Sequence, residues 1–107
     1  MKRYGMAIRL KPGAYDEYRR LHSAVWPEVL ATITACHIHN YSIFHKDGLL
    51  FSYFEYHGVD FAGDMAKMAA DPATQRWWDL CNPLQDPLET RTPGEWWAGM
   101  DELFHED

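Results

Sequence analysis

Tyr18 and His22 are the two residues whose types and spacing best suit acid–base chemistry in this sequence. Residues four apart meet on one face of a helix, so the phenol could orient the imidazole or contact the same ligand. Histidine titrates near neutrality and can both give and take a proton there. On spacing alone, however, a histidine on an apolar helix face is more often a hydrogen-bonded core residue than a catalyst. Both interpretations of His22 stay open at this point.

The segment around Tyr41 offers a second hydroxyl group. It lies in a β-rich run, and strand alternation predicts that His39, Tyr41 and Ile43 share one face of the strand. Asn40 is then expected on the other face. A tyrosine in a strand is common and needs no function, but its hydroxyl could donate a hydrogen bond to a bound hydroxyl group or accept one from it.

Two pairs of adjacent tryptophans stand out in a chain whose aromatic content is 15%. Trp77 and Trp78 lie on a predicted helix, where adjacent side chains point about 100° apart, so one direction of packing cannot bury both rings equally. One ring could be in the core and the other partly exposed, or one or both could line a pocket against the C–H face of a sugar. Trp96 and Trp97 raise the same question, with a dimer interface as the alternative.

Other catalytic constellations have weaker support. His37 and His39 could chelate a metal from one strand face, but a metal site needs a third ligand and the spacing selects none, so we expect no metal. No Gly-rich phosphate loop is present. The two cysteines, Cys36 and Cys81, are too few for a disulfide framework and are expected to be reduced, buried and inert in a cytoplasmic protein.

The charge balance narrows the class of ligand. The formal net charge is −6 and no segment gathers lysine and arginine, so binding to nucleic acid or to an anionic membrane surface is not expected. No stretch approaches the roughly 20 apolar residues of a membrane span, and the first twenty residues contain no continuous apolar run of the kind that a signal peptide needs. A neutral small-molecule substrate fits this composition better than a polyanion.

The elements that must position these residues follow from periodicity and from turn residues. A strand is predicted over residues 4–10 and a helical region over 14–35, broken near residues 23–26 because Pro27 disfavours helix at Trp26. Two strands at 38–45 and 49–56 flank an Asp-Gly turn. Residues 60–70 are weakly helical, Asp71-Pro72 begins a helix to about Leu80, and 83–93 is a Pro-rich loop. A last strand is predicted over 96–104.

The order β-α-β-β-α-β predicts an α+β fold of ferredoxin-like type in one domain, residues 1–107. Helices would cover one face of the sheet. The other face carries several aromatic side chains and cannot be left bare in water, so we expect a homodimer that associates through its sheets.

With these segments laid out, the chain resembles the L-rhamnose mutarotase family over nearly its whole length. The matching residues are Tyr18-x-x-x-His22, Trp26-Pro27-Glu28, His39-Asn40-Tyr41-x-Ile43, Gln75-Arg76-Trp77-Trp78 and the ending Met100-Asp101-Glu102-Leu103-Phe104. The first four of these segments are separated motifs at correct spacings, and together they are far more specific than any one of them.

The resemblance implies a dimeric α+β barrel that works without a cofactor as an isomerase, interconverting the α and β anomers of a 6-deoxyhexose. By the resemblance His22 corresponds to the general acid. The residues that correspond to sugar-contacting positions are Tyr18, Tyr41, Trp77 and Trp78. Met65 stands where an aromatic is expected and the loop over 83–93 is individual; these departures from the family pattern bear on the choice of sugar and not on the chemistry. L-rhamnose leads as substrate, with L-fucose or another 6-deoxy sugar behind it.

Two other classes of function are weighed against this one. The same barrel architecture also serves small cofactor-free monooxygenases and haem-degrading enzymes, which need a quinol-like or porphyrin ligand. A non-catalytic sugar or metabolite binder would use the same pocket without proton transfer. The motifs rather than the fold favour the mutarotase, because one fold hosts many functions.

Overall fold

The computed structural model describes residues Met1–Asp107 and contains five strands and four α-helices. Their bounds are β1 Lys2–Leu10, α1 Tyr15–His22, α2 Pro27–Ala35, β2 Ile38–Lys46, β3 Leu49–Tyr56, α3 Phe61–Ala70, α4 Pro72–Cys81, β4 Gln85–Asp86 and β5 Ala98–Met100. The predicted order β-α-β-β-α-β is confirmed, and each helical connection consists of two helices. The short strand β4 falls in the segment predicted to be a loop.

The five strands form one antiparallel sheet in the order β2-β3-β1-β4, with β5 also paired to β1. Because β3 pairs with β1 along nearly its whole length, β4 and β5 share the opposite edge. Strand β4 pairs with Arg9 and Leu10, and β5 pairs with the segment from Gly5 to Ala7. This is the strand order of a ferredoxin-like fold, and that prediction is confirmed.

The core lies between the sheet and the helices. Ile8 of β1 and Leu50 of β3 are opposite each other in register and are 0% and 2% exposed. The apolar faces of three helices pack around them through Tyr18, Leu21, Val29, Ala73, Trp77 and Cys81. A second, smaller group at the other end of the sheet contains Ile38, Phe54 and Tyr56. Burial of these faces, rather than helix propensity, stabilises the short helices.

The connection from β1 to β2 is interrupted between α1 and α2, as predicted. Pro27 occupies the first turn of α2, where its missing N–H costs nothing, and Trp26 before it is extended with φ −62° and ψ 136°. Helix α1 therefore ends at His22. The imidazole thus lies in the last turn of a helix, next to an irregular link.

The start of α4 is fixed by Asp71. Its carboxylate accepts hydrogen bonds from the backbone N–H of Thr74 at 3.0 Å and from the Thr74 hydroxyl at 2.8 Å. Pro72 follows as the first helical residue. This cap confirms the predicted helix start and determines which face of α4, and so which tryptophan, points into the core.

Strand β2 departs from the predicted alternation at Asn40. Asn40 has a φ of +52° and the register with β3 shifts there, so residues before and after this bulge exchange faces. Tyr41 contacts the inner core and Ile43 packs against it, whereas His39 pairs with Glu55 on the opposite face. The prediction that His39 shares a face with Tyr41 and Ile43 is therefore wrong.

The last strand is shorter than predicted, because β5 ends at Met100 and residues 101–107 have no regular structure. Extending the register of β5 along β1 brings Glu102 opposite Arg3, and their side chains form an ion pair of 2.7 Å. Leu103 and Phe104 follow in this irregular segment and make no strand pairing. The two side chains are 95% and 80% exposed.

Candidate active site

His22 is held at the end of α1 by three contacts with two residues, Tyr18 and Trp77. Its Nδ1 lies 2.8 Å from the backbone carbonyl oxygen of Tyr18. The phenol ring of Tyr18 stacks on the imidazole with 4.1 Å between ring centroids, and Trp77 meets it edge-on at 5.3 Å. The predicted contact between residues four apart is thus present, and the imidazole has a defined orientation.

The hydrogen bond to Tyr18 determines the tautomer of His22. A carbonyl oxygen only accepts, so Nδ1 must carry the hydrogen in the neutral ring. Nε2 then has a free lone pair and no protein partner. A neutral imidazole in this tautomer can accept a proton at Nε2 and afterwards return it.

Burial lowers the pKa of His22 below its ordinary value, because removal from water disfavours the imidazolium. The hydrogen bond to the Tyr18 carbonyl raises the pKa in part but does not reverse that shift. The imidazole of His22 is therefore neutral at physiological pH, so that before a ligand binds it can act as a base and not as an acid. The role of general acid implied by the family resemblance would then follow proton uptake at Nε2.

A cavity of about 490 Å³ opens beside His22. This volume lies within the roughly 300–1,000 Å³ range of small-molecule sites. The lining residues are Tyr15, Tyr18, Arg19, His22, Ser23, Ile43, Phe44, His45 and Leu50. The rings of Tyr15 and His45 are tilted against each other with centroids 4.3 Å apart, and both residues also line a neighbouring cleft of about 520 Å³. His22 is therefore accessible from a cavity and is not sealed in the core.

Tyr18 is only 5% exposed and forms the buried end of a chain of hydrogen bonds. Its hydroxyl accepts a hydrogen bond of 3.1 Å from Nε2 of Gln85, and Oε1 of Gln85 accepts one of 2.7 Å from the indole N–H of Trp96. Burial raises the pKa of Tyr18, so the phenol remains protonated. Sequence reasoning missed Gln85, since a glutamine in a Pro-rich loop is ordinarily exposed and carries no signal of a buried role.

Tyr41 lies on the inner face of β2 but does not line the His22 cavity. Its ring meets Phe54 edge-on at 5.5 Å, and 43% of its surface is accessible. Burial of the phenol raises its pKa, and the thiol of Cys81 raises it further. The same thiol and Tyr41 itself also raise the pKa of Tyr18. Tyr41 therefore faces the same interior as Tyr18, while part of its side chain remains accessible.

The two tryptophans of α4 are in different environments. Trp77 is 6% exposed and contacts both His22 and Trp26 edge-on, each at 5.3 Å. Trp78 is 37% exposed and makes no ring contact with either of them. The structure thus brings Trp77 to the imidazole and leaves Trp78 at the surface.

Neither cysteine has the character of a nucleophile. Cys36 and Cys81 are buried free thiols. Burial raises the pKa of both, that of Cys81 to about 11, so neither forms a thiolate at neutral pH. No group of three or more histidine, cysteine, aspartate or glutamate side chains lies close enough together to hold a metal ion. No helix combines the length and the apolar character needed to cross a membrane.

The fold and the site together define a class: an α+β protein with a neutral imidazole, buried phenols and an indole beside a cavity suited to a small molecule. A sequence profile of the L-rhamnose mutarotase family matches residues 3–106. An L-rhamnose mutarotase from Oceanobacillus iheyensis is 32% identical over 109 residues, covering 100% of both chains. One from Sinorhizobium fredii is 37% identical over 101 residues, covering 89% of this chain and 88% of its own. The chain belongs to the L-rhamnose mutarotase family.

Solved structures agree with this fold. An L-rhamnose mutarotase from Formosa agariphila superposes over 100% of both chains with a TM-score of 0.78 at 19% identity. Tetracenomycin F2 cyclase from Streptomyces glaucescens superposes over 100% of this chain and 98% of its own, with a TM-score of 0.73 at 12% identity. At such low identity these similarities concern the fold alone, which two different chemistries share.

Proposed function

We propose that this protein is an isomerase that interconverts the α and β anomers of L-rhamnose. Membership of the family supports the substrate, and His22 beside its cavity supports the reaction. The observation that carries the proposal is the anchoring of Nδ1 to the Tyr18 carbonyl, which leaves Nε2 unprotonated on a residue that lines the cavity.

Mutarotation opens the hemiacetal ring and closes it on the other face of the carbonyl. In our proposal Nε2 of His22 takes the proton from the anomeric hydroxyl while the bond between the anomeric carbon and the ring oxygen breaks. The ring oxygen receives a proton from a neighbouring donor, and closure reverses both transfers. A positioned acid or base contributes about 10²–10⁴ in rate, which suffices for a ring that already opens unaided in water.

The remaining assigned residues bind the sugar in this proposal. Tyr18 and Tyr41 hydrogen-bond the sugar, and Trp77 holds an apolar face together with the 6-methyl group. Trp78 is also predicted from the sequence to contact the sugar, but its exposure and lack of contact with the imidazole make it the weakest of the four assignments.

The test is saturation-transfer NMR of free sugars, which measures exchange between anomers at equilibrium. We expect accelerated exchange of L-rhamnose, slower exchange of L-fucose and no effect on D-glucose. His22→Ala should abolish the acceleration, whereas His39→Ala on the opposite face of the sheet should retain it. Wild-type exchange rates in His22→Ala would refute the assignment.

We also propose that the protein works as a homodimer. Two rows of side chains cross the face of the sheet that the helices leave open. The first row contains Phe44, Phe51, Ala7 and Ala98, and the second contains Ser42, Tyr53, Gly5 and Met100. Phe44 is 65% exposed and Met100 is 45% exposed in the single chain. A second copy of this face would cover both rows, with a twofold axis across the sheet.

Sedimentation tests the dimer directly. Phe51→Glu places a carboxylate in the first row and should convert a dimer into a monomer, while Glu28→Gln on α2 should leave the dimer unchanged. A monomeric wild type would refute the proposal.

The two buried free thiols suit a reducing compartment, and we propose that the protein is cytoplasmic.

A further inference from the structure

The chain of hydrogen bonds Trp96–Gln85–Tyr18 has only one possible direction. The indole N–H of Trp96 can donate but cannot accept, so the atom of Gln85 that faces it must be the carbonyl oxygen. The amide nitrogen of Gln85 then faces Tyr18 at 3.1 Å and donates to its hydroxyl. The orientation of the buried amide therefore follows from the chemistry of its two neighbours.

This direction determines what the Tyr18 hydroxyl can offer. The amide nitrogen of Gln85 only donates and occupies one lone pair of the phenol oxygen, so it cannot accept the phenol proton. The proton of Tyr18 has no protein acceptor in the structure. Because Tyr18 lines the cavity beside His22, that proton remains for a bound oxygen atom.

We propose that Gln85, oriented by Trp96, is a positioning residue that makes Tyr18 the hydrogen-bond donor of the site. Nε2 of His22 accepts a proton from the substrate, and the Tyr18 hydroxyl donates to the sugar ring oxygen as charge develops there. The two groups have complementary roles because their hydrogen-bond partners differ. The carbonyl oxygen of Tyr18 accepts from the imidazole of His22, and the amide nitrogen of Gln85 donates to the phenol of Tyr18. This inference rests on the proposed function, since it assigns the second partner of the same proton transfer.

Gln85→Glu tests the proposal with nearly the same shape. An ionised carboxylate at this position still accepts from Trp96, but it also accepts the Tyr18 proton and so turns the phenol away from the substrate. Once protonated, the introduced carboxyl group can donate to Tyr18 and restore the original direction. We therefore expect the exchange rate of Gln85→Glu, divided by that of wild type, to fall at least about tenfold as pH rises from about 5 to 9. A ratio that is constant with pH overturns the proposal.

Trp96→Phe and Trp97→Phe form a matched pair. Trp96→Phe removes the indole N–H and frees the amide of Gln85 to rotate, so kcat/KM should fall about two- to fivefold. Trp97→Phe truncates the adjacent ring outside the chain of hydrogen bonds and should change it by less than about twofold. Equal losses in the two variants would mean a packing role only, and would also overturn the proposal.

A readout that does not depend on activity separates this inference from the proposed function. Nuclear Overhauser contacts should join the Gln85 side-chain amide protons to the Tyr18 ring, and the Trp96 indole proton should exchange slowly with water. If wild type fails to accelerate anomer exchange, the proposed function fails. If these contacts are missing, or the activity ratio of Gln85→Glu is flat, the role of Gln85 fails while the function stands.

Discussion

Two tyrosine–histidine clusters in this molecule differ in what their hydrogen bonds leave free. The Tyr56 cluster comprises Tyr56, Asp64 and His37. The Tyr56 hydroxyl donates to the Asp64 carboxylate and accepts from the backbone N–H of Asp60 at 3.0 Å. Nδ1 of His37 lies 3.2 Å from the same carboxylate, and the Lys67 ammonium lies 3.7 Å from it. The polar groups of this cluster are directed at one another.

The Tyr18 cluster comprises Tyr18, His22 and Gln85, and its anchors are neutral. A backbone carbonyl holds His22 and a carboxamide holds Tyr18. Each anchor occupies one side of its partner and leaves the other free: a lone pair on the imidazole and a proton on the phenol. A neutral hydrogen-bond partner orients a titratable side chain and leaves its remaining lone pair or proton free for a ligand. A carboxylate surrounded by several donors instead forms a closed structural network.

The electrostatics follow the same division. The Tyr56 hydrogen bond is the largest cause of the lowered pKa of Asp64, with further contributions from His37 and Lys67. Burial is the largest cause of the lowered pKa of His22, with no charged partner involved. A carboxylate kept ionised suits a structural role, and an imidazole kept neutral suits a base.

The largest expected effect separates the two tyrosines. Tyr18→Phe removes the proposed proton donor and should lower kcat/KM for anomer exchange by about 10–10². Tyr56→Phe removes a hydroxyl that is committed to Asp64 and should lower the thermal stability while leaving the exchange rate of the folded protein within about twofold. Saturation-transfer NMR and thermal unfolding of both variants measure this. A larger loss of activity in Tyr56→Phe than in Tyr18→Phe would contradict the assignment of a catalytic role to the Tyr18 cluster and a structural role to the Tyr56 cluster.

The pH profile should show a base with a lowered pKa. In the proposed mechanism exchange requires neutral His22, so the rate should rise with pH through the pKa of that residue and level off towards neutrality. Below the pKa the rate should fall by about tenfold per pH unit. Since burial lowers this pKa, the midpoint should lie below the ordinary histidine value. A midpoint above that value would mean that burial does not determine the pKa of His22, and would contradict this prediction.

The Tyr56 cluster should appear in acid stability instead. The pKa of Asp64 in the folded protein lies below its ordinary value, so its stabilisation is present above the ordinary pKa and is lost as pH falls through the folded one. Asp64→Asn should therefore lower Tm by about 4 °C or more at neutral pH and differ less from wild type in strong acid. Thermal unfolding across this pH range measures the difference. A Tm gap that does not narrow in acid would argue against ionised Asp64 as its source.

Much of the fold could be predicted because local signals agreed with the global pattern. Pro27 broke the first helical region where expected, and Asp71 capped α4 as its sequence indicated. The bulge at Asn40 could not be predicted, because a single residue with positive φ leaves no mark on apolar periodicity. The alternation that predicted a strand to residue 104 does not mark the end of β5 at Met100, which lies opposite Gly5 of β1.

The contacts of the candidate site could be predicted only where they are local in sequence. Tyr18 and His22 are one helical turn apart, and helix geometry alone brings them together. The hydrogen bond from Gln85 to Tyr18 spans 67 positions, and that from Trp96 to Gln85 depends on how two strands share one edge of β1. No periodicity encodes such contacts.

The smallest expected effect concerns the two tryptophans that the sequence could not separate. Trp77→Phe removes an edge contact with His22 and leaves a void in the core, so kcat/KM should fall about two- to tenfold with some loss of stability. Trp78→Phe changes a partly exposed ring, for which surface substitutions shift free energies by about 0.5 kcal/mol or less, a factor of about two. Exchange rates at low sugar concentration decide between them. A loss of kcat/KM in Trp78→Phe that equals or exceeds the loss in Trp77→Phe would contradict this order. It would show that the bound sugar extends out of the His22 cavity onto the exposed face of α4, so that Trp78 belongs to the binding site.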